Sequence, residues 1–176
     1  MACFSLNGGI ATDCSNSMGG IKKVFLMDAA VTATLSSATT TPQTITGLDG
    51  TTASNVFEFN FRKNTGSMTS TLTVDAANGV NFVSTALVLQ FTRMEATKRA
   101  SIAALVKSEV KAVVVDSNGT AWLLGYDEPV SVTEGTGQTG QAKTDGNFYS
   151  LTLTDESKEF PYVVDDTVVA ELEALN

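Results

Sequence analysis

The stretch Thr92–Tyr126, TRMEATKRASIAALVKSEVKAVVVDSNGTAWLLGY, decides the fold class, because it passes from a helical pattern straight into a hairpin. Thr92 followed three residues later by Glu95 has the spacing of a capping box, so a helix is expected over 93–107. Ala96, Ala100, Ala103, Ala104 and Leu105 are good helix formers, and Ile102, Leu105, Val106 and Glu109 fall on one side. Past Lys107 the pattern changes to Val110, Ala112, Val113, Val114 and Val115, a β-branched run that reads as strand. Asp116-Ser117-Asn118-Gly119 then turns the chain, and Thr120–Leu124 returns as the partner strand.

Strand signals dominate on both sides of this stretch. Ile21–Met27 is the first expected strand, and residues 32–54 read as a Thr/Ser-rich connection in which Thr44-Ile45-Thr46 forms a short edge strand. Over Val56–Arg62, Phe57, Phe59 and Phe61 alternate with polar residues, giving one aromatic and one wet face. Met68–Val74 and Val80–Phe91 follow, separated by an Asn78-Gly79 turn. After Asp127-Glu128-Pro129, strand resumes at Val130–Thr133, residues 134–147 read as a mobile glycine-rich loop, and Asn147–Thr154 is a further strand. Asp165 or Asp166 caps a short C-terminal helix carrying Val168, Val169, Leu172 and Leu175. The expected fold is therefore mainly β: a β-sandwich or partly closed barrel with one packed α-helix at about 93–107. A single domain is expected, with an N-terminal arm at 1–20, a body at 21–164 and a C-terminal tail or short helix at 165–176.

Composition narrows the function classes. The chain has 176 residues, 43% of them hydrophobic, and a mean hydropathy of +0.09, which suits a folded globular protein. No run approaches the roughly 18 apolar residues of a membrane span. The first residues carry neither a basic region nor a long apolar stretch, which argues against a secretory signal peptide. Cys3 and Cys14 are expected as free thiols of a protein made in a reducing cytoplasm. A net charge of −8 disfavours sequence-specific nucleic-acid binding, and it also suits a surface that lets DNA pass without sticking.

Catalytic patterns are missing. With no histidine, hydrolase triads of the Ser-His-Asp or Cys-His kind are excluded and a zinc set cannot be completed. Gly135-Thr136-Gly137-Gln138-Thr139-Gly140 has G-x-G-x-x-G spacing, but Gln141–Asn147 offers no apolar helical face to follow it, so a loop is preferred to a dinucleotide fingerprint. Asp116, Asn118 and Asp145-Gly146-Asn147 lack the calcium-loop spacing and read as turns. Glu156, Glu159, Asp165 and Asp166 read as a solvated acidic face rather than paired catalytic carboxylates. Trp122 reads as core, and Phe57, Phe59 and Phe61 as core with a subunit contact second. No catalytic residue, metal or cofactor is expected.

The order of features, an arm, strands with a long polar connection, a helix packed on sheet, a hairpin, a glycine-rich loop and a final strand, resembles the tail-tube superfamily of tailed phages. The opening Asn7-Gly8-Gly9-Ile10-Ala11-Thr12-Asp13-Cys14 through Gly19-Gly20-Ile21-Lys22-Lys23-Val24 also resembles small virion proteins of Bacteroidota phages, including crAss-like phages. The segments Val113–Asp116, Trp122–Tyr126, Thr144–Asn147 and Leu151–Thr154 have the same character. The resemblance implies a non-enzymatic virion subunit in a ring, six-fold in that superfamily, around a DNA channel, as a tail tube or neck connector. Its partners would be copies of itself and other virion proteins, with no membrane. Phe4, Leu6 and Ile10 of the arm and Gly135, Gly137 and Gly140 are the candidate subunit contacts. The alternative is a capsid-decoration or adhesin-type β-sandwich binding module.

Overall fold

A computed structural model describes residues 17–37 and 42–176. Among these residues eleven strands and two helices follow in the order β1 (Ile21–Asp28), β2 (Thr32–Leu35), β3 (Thr44–Asp49), β4 (Val56–Asn60), β5 (Gly66–Asp75), β6 (Val80–Thr92), α1 (Ala96–Leu105), β7 (Val110–Asp116), β8 (Ala121–Leu124), β9 (Ser131–Gln138), β10 (Phe148–Ser157), β11 (Tyr162–Val164) and α2 (Asp166–Ala174). They form a large sheet of seven strands, ordered β2-β3-β11-β8-β7-β1-β4, and a small sheet of four, ordered β5-β6-β10-β9. All pairings are antiparallel except β3 with β11.

The large sheet is covered on both faces, which explains why its central strands read as unbroken apolar runs rather than alternating ones. One face sets Phe25, Met27, Ile45, Val113, Val115 and Leu123 against Val168 and Leu172 of α2. The other sets Val24, Leu26, Ala112, Val114 and Leu124 against Leu87, Leu89, Leu151 and Leu153 of the small sheet. Each of these side chains larger than alanine is worth about 1.5–3 kcal/mol relative to exposure. Asp165 caps α2 by accepting from Thr167 N–H at 3.0 Å, as its place before the apolar run suggests.

The expectation of a sandwich or partly closed barrel is corrected. Both sheets are open: β2 and β4 end one, β5 and β9 end the other, and among the described residues no terminal strands pair to close either. Among the described residues both expected helices are present: α1 rests on the core through half-buried Ile102 and Leu105 without fully burying a residue, and the short C-terminal α2 buries Val168 and Leu172. The capping box does not form, and α1 begins at Ala96 rather than 93. Thr92 is the last residue of β6, paired with Phe148, and Glu95 takes the N-cap position without a side-chain cap bond. Between them Asn147 holds the chain, its carbonyl accepting from Arg93 N–H and its Oδ1 from Met94 N–H.

Smaller differences follow the same logic of non-local pairing. β3 runs to Asp49 and lies between β2 and β11 rather than at an edge, and β4 stops at Asn60. Residues 134–138, expected as loop, are strand, because β9 pairs with β10 from Ser131 to Gln138. Phe59 and Phe61 pack on Phe91, with ring centroids 5.7 and 6.2 Å away, whereas Phe57 on the same face is 56% exposed. Trp122, expected in the core, is half-buried beside Asp116.

Candidate functional site

Register across the small sheet sorts its side chains into two faces. Met68, Leu87 and Leu153 form a row facing the large sheet. The alternate rows face away: Ser67–Val88–Thr152–Glu134, Thr69–Ala86–Thr154 and Thr71–Ser84–Glu156. Thr133 and Thr154 join hydroxyls at 2.8 Å on this side. The face is thus short, hydroxyl-rich and acidic. None of its four strands contains a lysine or an arginine, although the chain has eleven. A phosphate backbone is held mainly by cations, so the strands of this face lack the groups that retain one most strongly; Lys158 stands just past the end of β10.

The edges of the two sheets differ. β4, the edge of the large sheet, is five residues long, and two of its backbone N–H groups are taken: Val56 donates to the Thr52 carbonyl at 3.2 Å and Glu58 to Asn176 Oδ1 at 3.1 Å. β5, the edge of the small sheet, is ten residues long, without proline or lysine, and pairs with β6 in unbroken register from Gly66↔Leu89 to Asp75↔Val80. Proline, lysine and bulges, which commonly blunt an edge, are thus absent from it, and its one charge is the terminal Asp75. Toward its far end the hairpin outruns the large sheet, and Leu72, Val74 and Val80 are about half exposed or more. Because each neighbour is antiparallel, β9 at the opposite edge runs opposite to β5.

Gly135 and Gly137 lie on β9, not in a loop. A Cβ there would meet Leu151 Cδ2 at 3.1 Å and Tyr149 Cε1 at 3.0 Å, so their bareness admits the side chains that cross from β10. Gly140 stands in the following turn at φ +72°, where the Asp145 carboxylate accepts from Gln141 and Ala142 N–H at 2.8 and 2.7 Å. The G-x-G-x-x-G run thus spans a strand and a turn, and strand β10 rather than a helix follows. Phe4, Leu6 and Ile10, like Cys3 and Cys14, lie outside the described residues, so the structure brings together only the two strand glycines of the six candidate contacts.

The carboxylates that suggest ion binding are turn fasteners. Asp116 Oδ1 accepts from Asn118 and Thr120 N–H at 2.8 and 2.9 Å, and Glu159 accepts from Tyr162 Oη at 3.1 Å. Among the described residues no three Cys, Asp or Glu side chains are grouped to hold a metal. Burial and Glu159 push the Tyr162 phenol up to about 12. Asp155, 2% exposed, is the one buried carboxylate among the described residues. Its Oδ1 accepts from Gly125 N–H at 3.2 Å, linking β10 of the small sheet to the end of β8 in the large one. Burial raises its pKa to about 6 against the pull of the Gly125 hydrogen bond, with Asp127, Glu128 and Glu156 adding to the rise. The sequence does hold a signal for it: Leu151, Leu153 and Asp155 share the inward face of β10.

No protein-family model, curated protein or solved structure matches the chain. Among the described residues no helix is long and apolar enough to cross a membrane.

Proposed function

We propose that the chain is a non-enzymatic phage virion subunit that associates head-to-tail with its own copies into a closed ring, the outer face of the small sheet lining a DNA channel. The observation that carries this reading is β5, a long edge strand with no proline, lysine or bulge. Such an edge templates pairing with another strand. β9 of a second copy meets it antiparallel without any reversal of the subunit, and repeating that heterologous contact closes a ring if the rotation closes. The channel face would then be the rows of Thr, Ser and Glu, free of lysine and arginine, past which a polyanion slides. The virion context comes from the resemblance of the sequence, and the ring from the sheet edges.

Mass photometry over a concentration series, followed by negative-stain imaging, tests the ring. Particles of one closed stoichiometry growing with concentration are expected, and a monomer at every concentration overturns it. A second arm tests the channel. Ala86→Lys with Thr152→Lys, central on the outer face, should leave the rings intact and give them salt-dependent affinity for double-stranded DNA that the unmodified rings lack. Equal DNA binding before and after would remove that face from the lumen.

A further inference from the structure

We propose that Asn78, in the turn between β5 and β6, is a site of spontaneous covalent modification, its side-chain amide lost to attack by the Gly79 backbone nitrogen to leave aspartate or isoaspartate. Gly79 gives its N–H proton to hydroxide, and its nitrogen bonds to Asn78 Cγ. The Cγ–Nδ2 bond then breaks, and the departing nitrogen takes a proton from water and leaves as ammonia. Water opens the resulting five-membered imide at either carbonyl. The sum is one water consumed, one ammonia released and one carboxylate gained, with no oxidant, metal or other reactant. A glycine favours the step because no Cβ shields the attacking nitrogen.

Two Asn-Gly pairs lie among the described residues, Asn78-Gly79 and Asn118-Gly119; a third, Asn7-Gly8, lies outside them. Both described pairs are exposed, with glycine at positive φ, +66° at Gly79 and +95° at Gly119. Hydrogen bonds separate them. In the β7–β8 turn Gly119 N–H donates to the Asp116 carbonyl at 3.2 Å, so the attacking nitrogen is engaged. The Asn118 side chain is held at both ends: Oδ1 accepts from Met18 N–H at 2.8 Å, and Nδ2 donates to the Met18 carbonyl at 3.1 Å.

In the β5–β6 turn Gly79 N–H and Asn78 Oδ1 have no hydrogen-bond partner among the described residues. Of the groups that react, only Asn78 Nδ2 is held, by Asp75 Oδ2 at 2.6 Å. One bond thus restrains Asn78, against three at Asn118. A Cβ placed on Gly79 would meet nothing within 4 Å, so the imide has room to form and water has access to open it. The product sets a second carboxylate beside Asp75. Isoaspartate also lengthens the main chain by one carbon, which disturbs the Asp75↔Val80 pair that closes the hairpin.

Peptide mapping by mass spectrometry tests this on the full-length chain, whatever its assembly state. The protein is held in mildly alkaline buffer, sampled over days and digested with trypsin, which leaves Asn78 and Asn118 on separate peptides. A second aliquot is kept unfolded in urea throughout. In the folded protein the acid forms should accumulate at Asn78 at least tenfold faster than at Asn118, because two further hydrogen bonds must open at Asn118. In urea the two positions should react at similar rates, since both precede glycine. Equal rates in the folded protein overturn the proposal. So does a folded Asn78 that stays intact while the urea-held chain reacts.

Discussion

The large sheet is sealed and the small sheet is open. The large one has α2 on one face and the small sheet on the other, and its β4 edge has two backbone N–H groups already bonded to Thr52 and Asn176. Among the described residues the small one is covered on a single face, and its β5 edge runs ten residues without proline, lysine or bulge. Composition separates them too: β1, β4, β7, β8 and β11 contain no serine or threonine, whereas each strand of the small sheet carries at least three. The difference teaches that, on the proposed function, the strength of the fold and the capacity to associate would reside in different sheets.

Substitutions can break that separation. Phe25→Ala, in the doubly covered sheet, should cost about 3–5 kcal/mol in urea unfolding, through lost burial plus a cavity between β1 and α2. Asp155→Asn acts at the junction of the sheets and should stabilise. The folded carboxyl has a pKa of about 6 against an ordinary 3.8, so the native state holds a proton that the unfolded chain has released. Stability accordingly falls as pH rises from about 4 to about 6 and is flat above. The amide keeps an oxygen for Gly125 N–H, removes that slope, and should gain about 2 kcal/mol at pH 7.5. Thermal melts of both proteins from pH 4 to 8 check the sign; parallel curves would refute it. Asp165→Ala, which removes the cap of α2, should cost about 1 kcal/mol. Smallest for stability is Thr69→Lys with Thr71→Lys on β5, within about 0.5 kcal/mol of the parent, yet the same pair should abolish ring formation by charging the bare edge. A loss of several kcal/mol there would show that the small sheet is not separable.

Legibility in the sequence follows the range of the interactions. β1, β7, β8 and the Asp116–Gly119 turn are readable because apolar runs and turn chemistry are local, and α2 because Asp165 precedes its own apolar stripe. The start of α1 is not, since Thr92 is claimed by pairing with Phe148, distant in the chain, and a residue locked in a ladder cannot cap a helix. β9 reads as loop because Gly135 and Gly137 weaken a strand, and only the crossing Leu151 and Tyr149 side chains explain them. Closure into a sandwich or barrel is not decided by alternation, which assigns faces but not which edges meet. For the candidate site, the scarcity of cations is plain in the count, but their absence from one face emerges only when β5, β6, β10 and β9 are set in register. Phe57 cannot be told from Phe59 and Phe61 in sequence, because its exposure depends on where the small sheet stops.

The parallel contact of β3 with β11, Thr44 beside Val163, also sets a schedule. A ribosome delivers β3, β5 and β6 long before β11, and the large sheet has no bridge between its β2–β3 hairpin and β8 until β11 appears. Closing so long a loop is slow, so the large sheet is completed late in folding. Through that interval the nascent chain carries the bare β5 edge, and high expression would therefore favour inclusion bodies unless elongation outpaces encounter between neighbouring polysomes.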